Sequence, residues 1–271
     1  YGIESRTSEK FGPGVSRTFR AVSGSIGVNV PLADGISASG TVARSFRAPT
    51  VEELFSGAPH AGTGSVEFGS PDLRAERGRS LEAGLRLRTG RWNGQMAVYR
   101  NDIRDYVHLV ARGDTVIGGI TLPVLVYGQQ DATLTGAEGS VEFAARPDLV
   151  LGVTGDVIRG ELAGATPLSY MPAPRIGAMA RWDNGVLSLG GDVHHEFRQD
   201  RLGPADEQPT EAHTIFRVMA GVRVNRGGAL HSVTLRGENL TDSLHRESTS
   251  RIKDFAPGAG RNLALTYRVY F

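Results

Sequence analysis

Cysteine is absent from the 271 residues, tryptophan occurs only twice, and lysine plus arginine (30) barely outnumber aspartate plus glutamate (29). Without cysteine there is no disulfide scaffold and no thiolate metal site, although the compartment stays open. With charge so nearly balanced, no basic field points to nucleic acid. No run approaches the ~20 consecutive apolar residues that a membrane helix needs. That absence says nothing against a barrel, whose strands of ~9 to 11 residues give only a weak alternating signal. No protease triad, P-loop or dinucleotide fingerprint is present, so nothing argues for an enzyme and no cofactor is implied. The 36 glycines have a structural explanation in strands and turns.

What the chain has instead is alternation. In the last twelve residues, Leu263, Leu265, Tyr267, Val269 and Phe271 alternate with Ala264, Thr266, Arg268 and Tyr270, a period of two with two different faces. Alternation bounded by Gly, Pro, Asn and Asp predicts eleven strands, at 16–30, 36–46, 78–89, 92–108, 122–145, 149–159, 174–182, 186–197, 211–225, 229–239 and 260–271. A single short helix is expected near Pro49 to Phe55, with Thr50 as its cap and Glu52 and Glu53 in its first turn.

The connections carry more information than the strands. Tight turns at 31–35, 90–91, 146–148, 183–185 and 226–228 alternate with long segments at 47–77, 109–121, 160–173, 198–210 and 240–259. Successive hairpins therefore place every short turn at one end and every long loop at the other, as in transmembrane barrels with short periplasmic turns and long extracellular loops. A soluble Greek-key sandwich mixes the two kinds at both ends. Face chemistry agrees: Leu81, Ala83, Leu85 and Leu87 oppose Glu82, Arg86 and Arg88, and Val233 and Leu235 oppose Thr234, Arg236 and Glu238. The expected fold is an all-β, antiparallel transmembrane meander. A passive porin-like or structural barrel remains the alternative, and a soluble all-β binding protein is a third reading.

An ordered set of short segments carries a family likeness. It comprises Arg44-Ser45-Phe46-Arg47-Ala48-Pro49-Thr50, Glu52-Glu53-Leu54-Phe55, then Gly57, His60, Gly62, Thr63, Phe68-Gly69 and Leu73 to Glu76. Further on come Asn239-Leu240-Thr241-Asp242 and a closing Gly260-Arg261-Asn262 strand that ends in Phe271. Together they resemble the barrel of TonB-dependent outer-membrane receptors of Gram-negative bacteria. The resemblance implies a barrel of 22 strands around an N-terminal plug, pulled by an energised periplasmic partner through a box ahead of the plug. Eleven strands would then be the C-terminal half of that barrel, with residues 1–271 lacking plug and TonB box. The implied function is energised import of a scarce metal ion or a metal chelate such as an iron–siderophore. The implied partners are the TonB-type complex reached through the missing N-terminal region, the plug and remaining barrel half, the barrel assembly machinery and outer-membrane lipid.

Within that reading, segments 198–210 and 245–260 resemble the metal-uptake subgroup. With the C-terminus placed at the periplasmic side, His60, His108, His194, His195, His213 and His245 fall at the outer loops, and His231 at the opposite rim. Imidazole with nearby carboxylate suits zinc and other borderline metals. The candidate donors are His60, His213 and His245, with His195 added if its strand turns it inward. Arg47 and Glu52 are expected to anchor the first long loop, Asn239 to serve structurally, and Phe271 to act as the C-terminal assembly signal. Tyr106, Tyr127 and Tyr170 at the outer strand ends, with Trp92 and Trp182 at the inner ones, are expected to form interfacial girdles.

Overall fold

The computed structural model describes residues 2–4 and 16–271. Along the chain lie β1 (Gly2–Glu4), β2 (Ser16–Thr18), β3 (Gly24–Ala33), β4 (Ile36–Arg47), α1 (Val51–Phe55), β5 (Gly57–His60), β6 (Ser65–Phe68), β7 (Glu76–Thr89), β8 (Trp92–Ile117), β9 (Ile120–Arg146), β10 (Leu149–Leu162), β11 (Thr166–Pro167), β12 (Arg175–Asp183), β13 (Leu187–Glu196), β14 (His213–Arg226), β15 (Ala229–Glu238) and β16 (Asn262–Tyr270). Eleven of these form one antiparallel meander in the order β16-β15-β14-β13-β12-β10-β9-β8-β7-β4-β3. The strand number and the neighbour-to-neighbour pairing follow the alternation of the sequence. Strands β3 and β16 lie at the two ends of this order and do not pair with each other, so the described sheet is an open arc. An open edge cannot stand in hydrocarbon, and the arc is therefore part of a larger transmembrane barrel.

Two predicted boundaries move. The expected strand at 16–30 divides: Ser16–Thr18 pairs with Gly2–Glu4, while Gly24–Ala33 joins the meander and absorbs Pro31 at a register shift. Proline is tolerated there because β3 is an edge among the described strands. The expected loop at 109–121 is instead ladder: β8 and β9 stay paired out to Ile117 and Ile120 across a turn at Gly118 and Gly119. Arg112-Gly113-Asp114, which reads as a break, is a bulge between Ala111 and Asp114 with Gly113 at φ 88°. A bulge takes up the extra residue and lets pairing resume. The turn needs positive φ at both central residues, and Gly118 and Gly119 supply 58° and 83° without side-chain cost.

Ladder partners share a face, so one face can be followed across the arc. From Leu265 the partners run through Leu235, Ala220 and Leu189 to Trp182, every one apolar. One position along, Thr266, Thr234, Gly221, Ser188 and Asp183 make the opposite, polar row. On that polar face Arg175 pairs with Asp156 at 3.1 Å and Arg217 with Asp192 at 2.8 Å, each between direct cross-strand partners. A cavity of about 770 Å³ touches Ser39, Glu82, Gln95, Ser140, Asp156 and Arg175 from six successive strands of the meander. A single space that reaches so many neighbouring strands lies on the concave side, so the polar face is the lumen and the apolar face looks outward. Leu265 is 72% exposed on that outer face, an inversion of globular burial that lipid satisfies.

Replacing Leu265 by Arg in the full-length protein is expected to destabilise the lipid-embedded barrel by about 2 to 4 kcal/mol near the midplane. Thr266→Arg, one residue along on the lumenal face, should cost far less. Urea unfolding in lipid vesicles checks both, and a larger loss for Thr266→Arg than for Leu265→Arg would mean the register is reversed.

Candidate functional site

The long connections fold together into a cap at one end of the arc. The cap begins where β4 ends. Arg47 donates to Glu53 at 2.9 and 3.0 Å and from Nε to Glu76 at 2.9 Å, with a second bond to Glu76 through its other terminal nitrogen. Glu53 also closes the start of α1, since its side chain accepts the Thr50 N–H while Thr50 Oγ1 accepts the Glu53 N–H. Glu76 then accepts the Val107 N–H at 2.9 Å, which ties the helix to β8. Arg47, expected from the sequence to work with Glu52, has Glu53 and Glu76 as its partners. Glu52 is exposed, and only its backbone carbonyl is used, accepting the Ser56 N–H. Leu54 fills the small core beneath, fully buried with Phe19, Leu73 and Val107. Gly69 passes so close that a Cβ there would stand 2.5 Å from the Phe55 nitrogen.

Two buried ion pairs fasten the remaining loops. Strands β5 and β6 form a hairpin whose second strand runs parallel to β9. On it sits Glu67, 2% exposed, accepting from Thr63 and Ser65 at 3.0 Å, from the Tyr127 hydroxyl at 2.9 Å and from Arg251 at 2.6 Å. Burial pushes the Glu67 carboxyl up, but the hydrogen bond and charge of Arg251 together with Tyr127 and Ser65 outweigh it and hold the group below its ordinary value. The second pair joins Lys253 and Glu207 at 3.7 Å, with side-chain exposures of 2% and 1%. Glu207 also accepts the backbone N–H groups of Tyr170 and Gly203 at 2.8 Å, and the Lys253 ammonium lies 5.8 Å from the centre of the Tyr170 ring. Ser248 adds a third tie, accepting the Ala173 N–H at 3.1 Å and donating to Glu196 at 3.3 Å. Segment 240–261 therefore contacts nearly every other long connection.

Asn239 closes that segment at its base. Asn239 and Asp242 both adopt left-handed backbone, φ 47° and 54°, which their short polar side chains tolerate. The Asn239 amide donates to the carbonyls of Ser243 and Ala259 at 2.9 and 3.0 Å and accepts the Ser243 N–H at 2.9 Å, while Asp242 accepts the Arg261 N–H at 2.8 Å.

The histidines divide by face. His213 and His245 come together, ring centres 5.0 Å apart. His60 does not join them; its ring contacts Thr63 on its own hairpin. His195 shares the outward face with Val193 and Leu189, bonded to Thr214 at 2.9 Å and edge-on to Phe197, so its strand does not turn it inward. His194 is the lumenal one, on the face of Glu196, Ile215 and His213. The Nδ1 atoms of His194 and His213 are buried without a hydrogen-bond partner. Among the described residues, no three His, Asp or Glu side chains are arranged to hold a metal ion.

The tyrosines also differ from expectation. Tyr127 and Tyr170 serve the cap through Glu67 and Lys253, and Tyr106 packs on the cluster of Ala132, Leu162 and Leu168, so none of the three forms an outer girdle. Trp92 and Trp182 do face outward at the tight-turn end, Trp92 packed 4.6 Å from Phe143 and Trp182 donating to Asp148 at 2.6 Å. Sequence reasoning missed Lys253 and Arg251, the cations of the two pairs, and read Glu67 and Glu207 only as acids near the outer histidines. One signal was there: the chain has 28 arginines and only two lysines, and one of those, Lys253, sits in a loop.

The sequence model of the family described as "TonB dependent receptor-like, beta-barrel" matches residues 2–240. The copper transporter OprC is 19% identical with a TM-score of 0.75, over 89% of this chain and 38% of its own. The siderophore receptor PirA from Acinetobacter baumannii is 16% identical with a TM-score of 0.66, over 96% and 42%. The ferric-catecholate import receptor Fiu from E. coli K12 is 18% identical with a TM-score of 0.63, over 96% and 37%. The chain spans about two-fifths of the length of these structures, and likeness at such identity concerns the fold.

Glu67→Gln in the full-length protein should loosen segment 240–261 by about 2 kcal/mol, below the 3 to 5 typical of a fully buried pair because Arg251 is 30% exposed. Hydrogen exchange at 240–259 measures it. Because the Glu67 pKa is lowered, its stabilisation is complete above the unfolded value of 4.5 and is lost as pH falls through the lower folded value. Protection of that segment should therefore hold near pH 6 and fall below about pH 4, with the variant flat across the same range.

Proposed function

We infer a function from one premise: the chain belongs to the β-barrel family of TonB-dependent receptors, transporters of the Gram-negative outer membrane. The protein is proposed to import a scarce metal ion or metal chelate, such as an iron–siderophore, with energy supplied from the periplasmic side. What supports this beyond family membership is the arrangement of the arc. Its long connections interlock over one end, its lumenal wall is polar and charged, and a cavity with Glu82, Tyr99, Asp156 and Arg175 opens along that wall. Arginine and tyrosine suit the oxygen-rich exterior of a chelate, which needs no protein donor on the metal itself.

For direct contact with a metal, the reading narrows to His213 and His245, with His194 replacing His195 and His60 set aside. The buried, unpartnered Nδ1 atoms of His194 and His213 are donors in waiting, and neutral imidazole suits zinc and copper alike. A rearrangement of segment 240–261, which carries His245, would be needed to converge them. The partners follow the same reading: a plug and the remaining strands fill and close the barrel, a TonB-type complex supplies energy through the region ahead of the plug, and Phe271, exposed just beyond β16, is offered to the barrel assembly machinery.

Uptake of labelled zinc and of a ferric siderophore in cells carrying the full-length receptor tests the proposal. Accumulation should fall to background when the proton-motive force is collapsed; persistence would indicate a passive pore. At matched receptor abundance, joint replacement of His213 and His245 by Ala should lower the zinc rate about tenfold or more, the scale of effect seen when metal-site contacts are lost. His60→Ala should leave it unchanged.

A further inference from the structure

Segment 240–261 forms a closed strap, and its own backbone lies against one of the candidate metal donors. The two limbs of the strap are bonded to each other: the Gly258 N–H donates to the His245 carbonyl at 2.8 Å, and Arg246 Nε donates to the Lys253 carbonyl at 2.8 Å. Inside this loop the His245 side chain is only 11% exposed. Its Nδ1 stands 3.2 Å from the Ser243 carbonyl, a contact that a ring nitrogen makes only as a donor. The neutral ring then carries its lone pair on Nε2, and Nε2 is the atom that a metal would take. That edge of the ring is where the strap folds back. A Cβ at Gly258 would overlap Nε2 and stand 2.6 Å from Cδ2 and Cε1, so the return limb can pass here only because residue 258 has no side chain. The ring also packs on His213, centres 5.0 Å apart, whose Nδ1 is buried without a hydrogen-bond partner. Two imidazoles thus stand together, with the coordinating nitrogen of one shut against the chain.

The ties that hold the strap down are poised and not tight. Arg251 bonds Glu67 at 2.6 Å, but its side chain is 30% exposed and its Nε is buried without an acceptor. Lys253 is 2% exposed and has three N–H donors, yet its polar contacts are long, 3.5 Å to the Ser248 carbonyl and 3.7 Å to Glu207. Desolvation of such an ammonium offsets much of its attraction to the carboxylate. Both cations lie on one short stretch of chain and reach different anchors, the 57–68 hairpin and the 198–210 connection. A single movement of residues 251–258 therefore breaks both ties and withdraws Gly258 from His245.

We propose that the strap is an autoinhibitory contact: in the closed cap Gly258 shuts the coordinating nitrogen of His245 away from cargo, and release of Arg251 and Lys253 uncovers it beside His213. Apparent affinity for a metal is then lowered by the fraction of molecules whose strap is closed. The inference rests on the metal-import reading for its purpose, whereas the masking is a property of the strap alone.

The test is chemical modification of the full-length receptor in detergent with diethyl pyrocarbonate, which acylates an accessible, unprotonated imidazole nitrogen; mass spectrometry of the peptides gives a rate for each histidine. In the parent, His245 should react at least about tenfold more slowly than the exposed His60. Gly258→Ala drives the ring from its seat and Arg251→Gln removes one tie, so each should raise the His245 rate about tenfold. His231, at the opposite rim, should keep its parent rate in both variants, which separates strap release from loss of the barrel. Arg251→Gln decides the matter should Gly258→Ala fail to assemble. A parent His245 as reactive as His60, or a His245 rate unchanged in the variants that assemble, would overturn the proposal. Neither metal nor transport enters the readout, so failure here leaves the import reading standing, and failure of the import reading leaves the masking result standing.

Discussion

Every backbone N–H and C=O that enters hydrocarbon must find a partner within the protein, and the arrangement of this chain follows from that requirement. An eleven-strand meander meets it at every interior strand by pairing each with its sequence neighbour, through turns as short as Gly118-Gly119. Only the outer edges of β3 and β16 are left for other strands. Because pairing fixes which residues share a face, the same requirement sorts the side chains. Leu265 and its row look outward, and Asp156, Arg175, Asp192 and Arg217 look into the lumen, where charges can pair and be hydrated.

At the cap the constraint changes. There the chain leaves the ladder, and loops must satisfy their polar groups without regular pairing. Buried charge does much of this. Glu67 gathers four donors, two from its own hairpin and two from distant segments, and Glu207 takes two backbone N–H groups together with Lys253. Such pairs contribute modest net stability, since desolvation offsets attraction, but breaking one leaves a stranded charge. Their effect is to give the long connections a single mutual arrangement. Segment 240–261 is central to it, carrying Arg251, Lys253, Ser248 and the candidate His245 together, so any movement of His245 toward a cargo is coupled to these ties.

The outer surface shows a third regime. Tryptophans 92 and 182 mark the tight-turn end, where an indole finds both apolar and polar neighbours, and Arg44, Arg77 and Arg79 on the outward face of β4 and β7 mark the cap end.

By itself the sequence determined the number, order and neighbour pairing of the eleven meander strands, though not that 109–121 is ladder or that 57–68 holds a hairpin. Period-two alternation and turn residues are local properties, and in a meander local pairing is also the global topology. Arg47 and Asn239 could be singled out because they lie in the motif set at strand-to-loop junctions; the groups they bond could not. What only the tertiary structure decided is everything that depends on distant segments meeting. The sequence put His60 with His213 and His245, but loop paths separate it from them, and strict register, with no bulge in β13, turns His195 outward and His194 inward. Glu53 and not Glu52 meets Arg47 because helix phase selects one of two adjacent acids. Glu67 and Arg251 are 184 residues apart, and no local pattern encodes the partner of a charge across that separation.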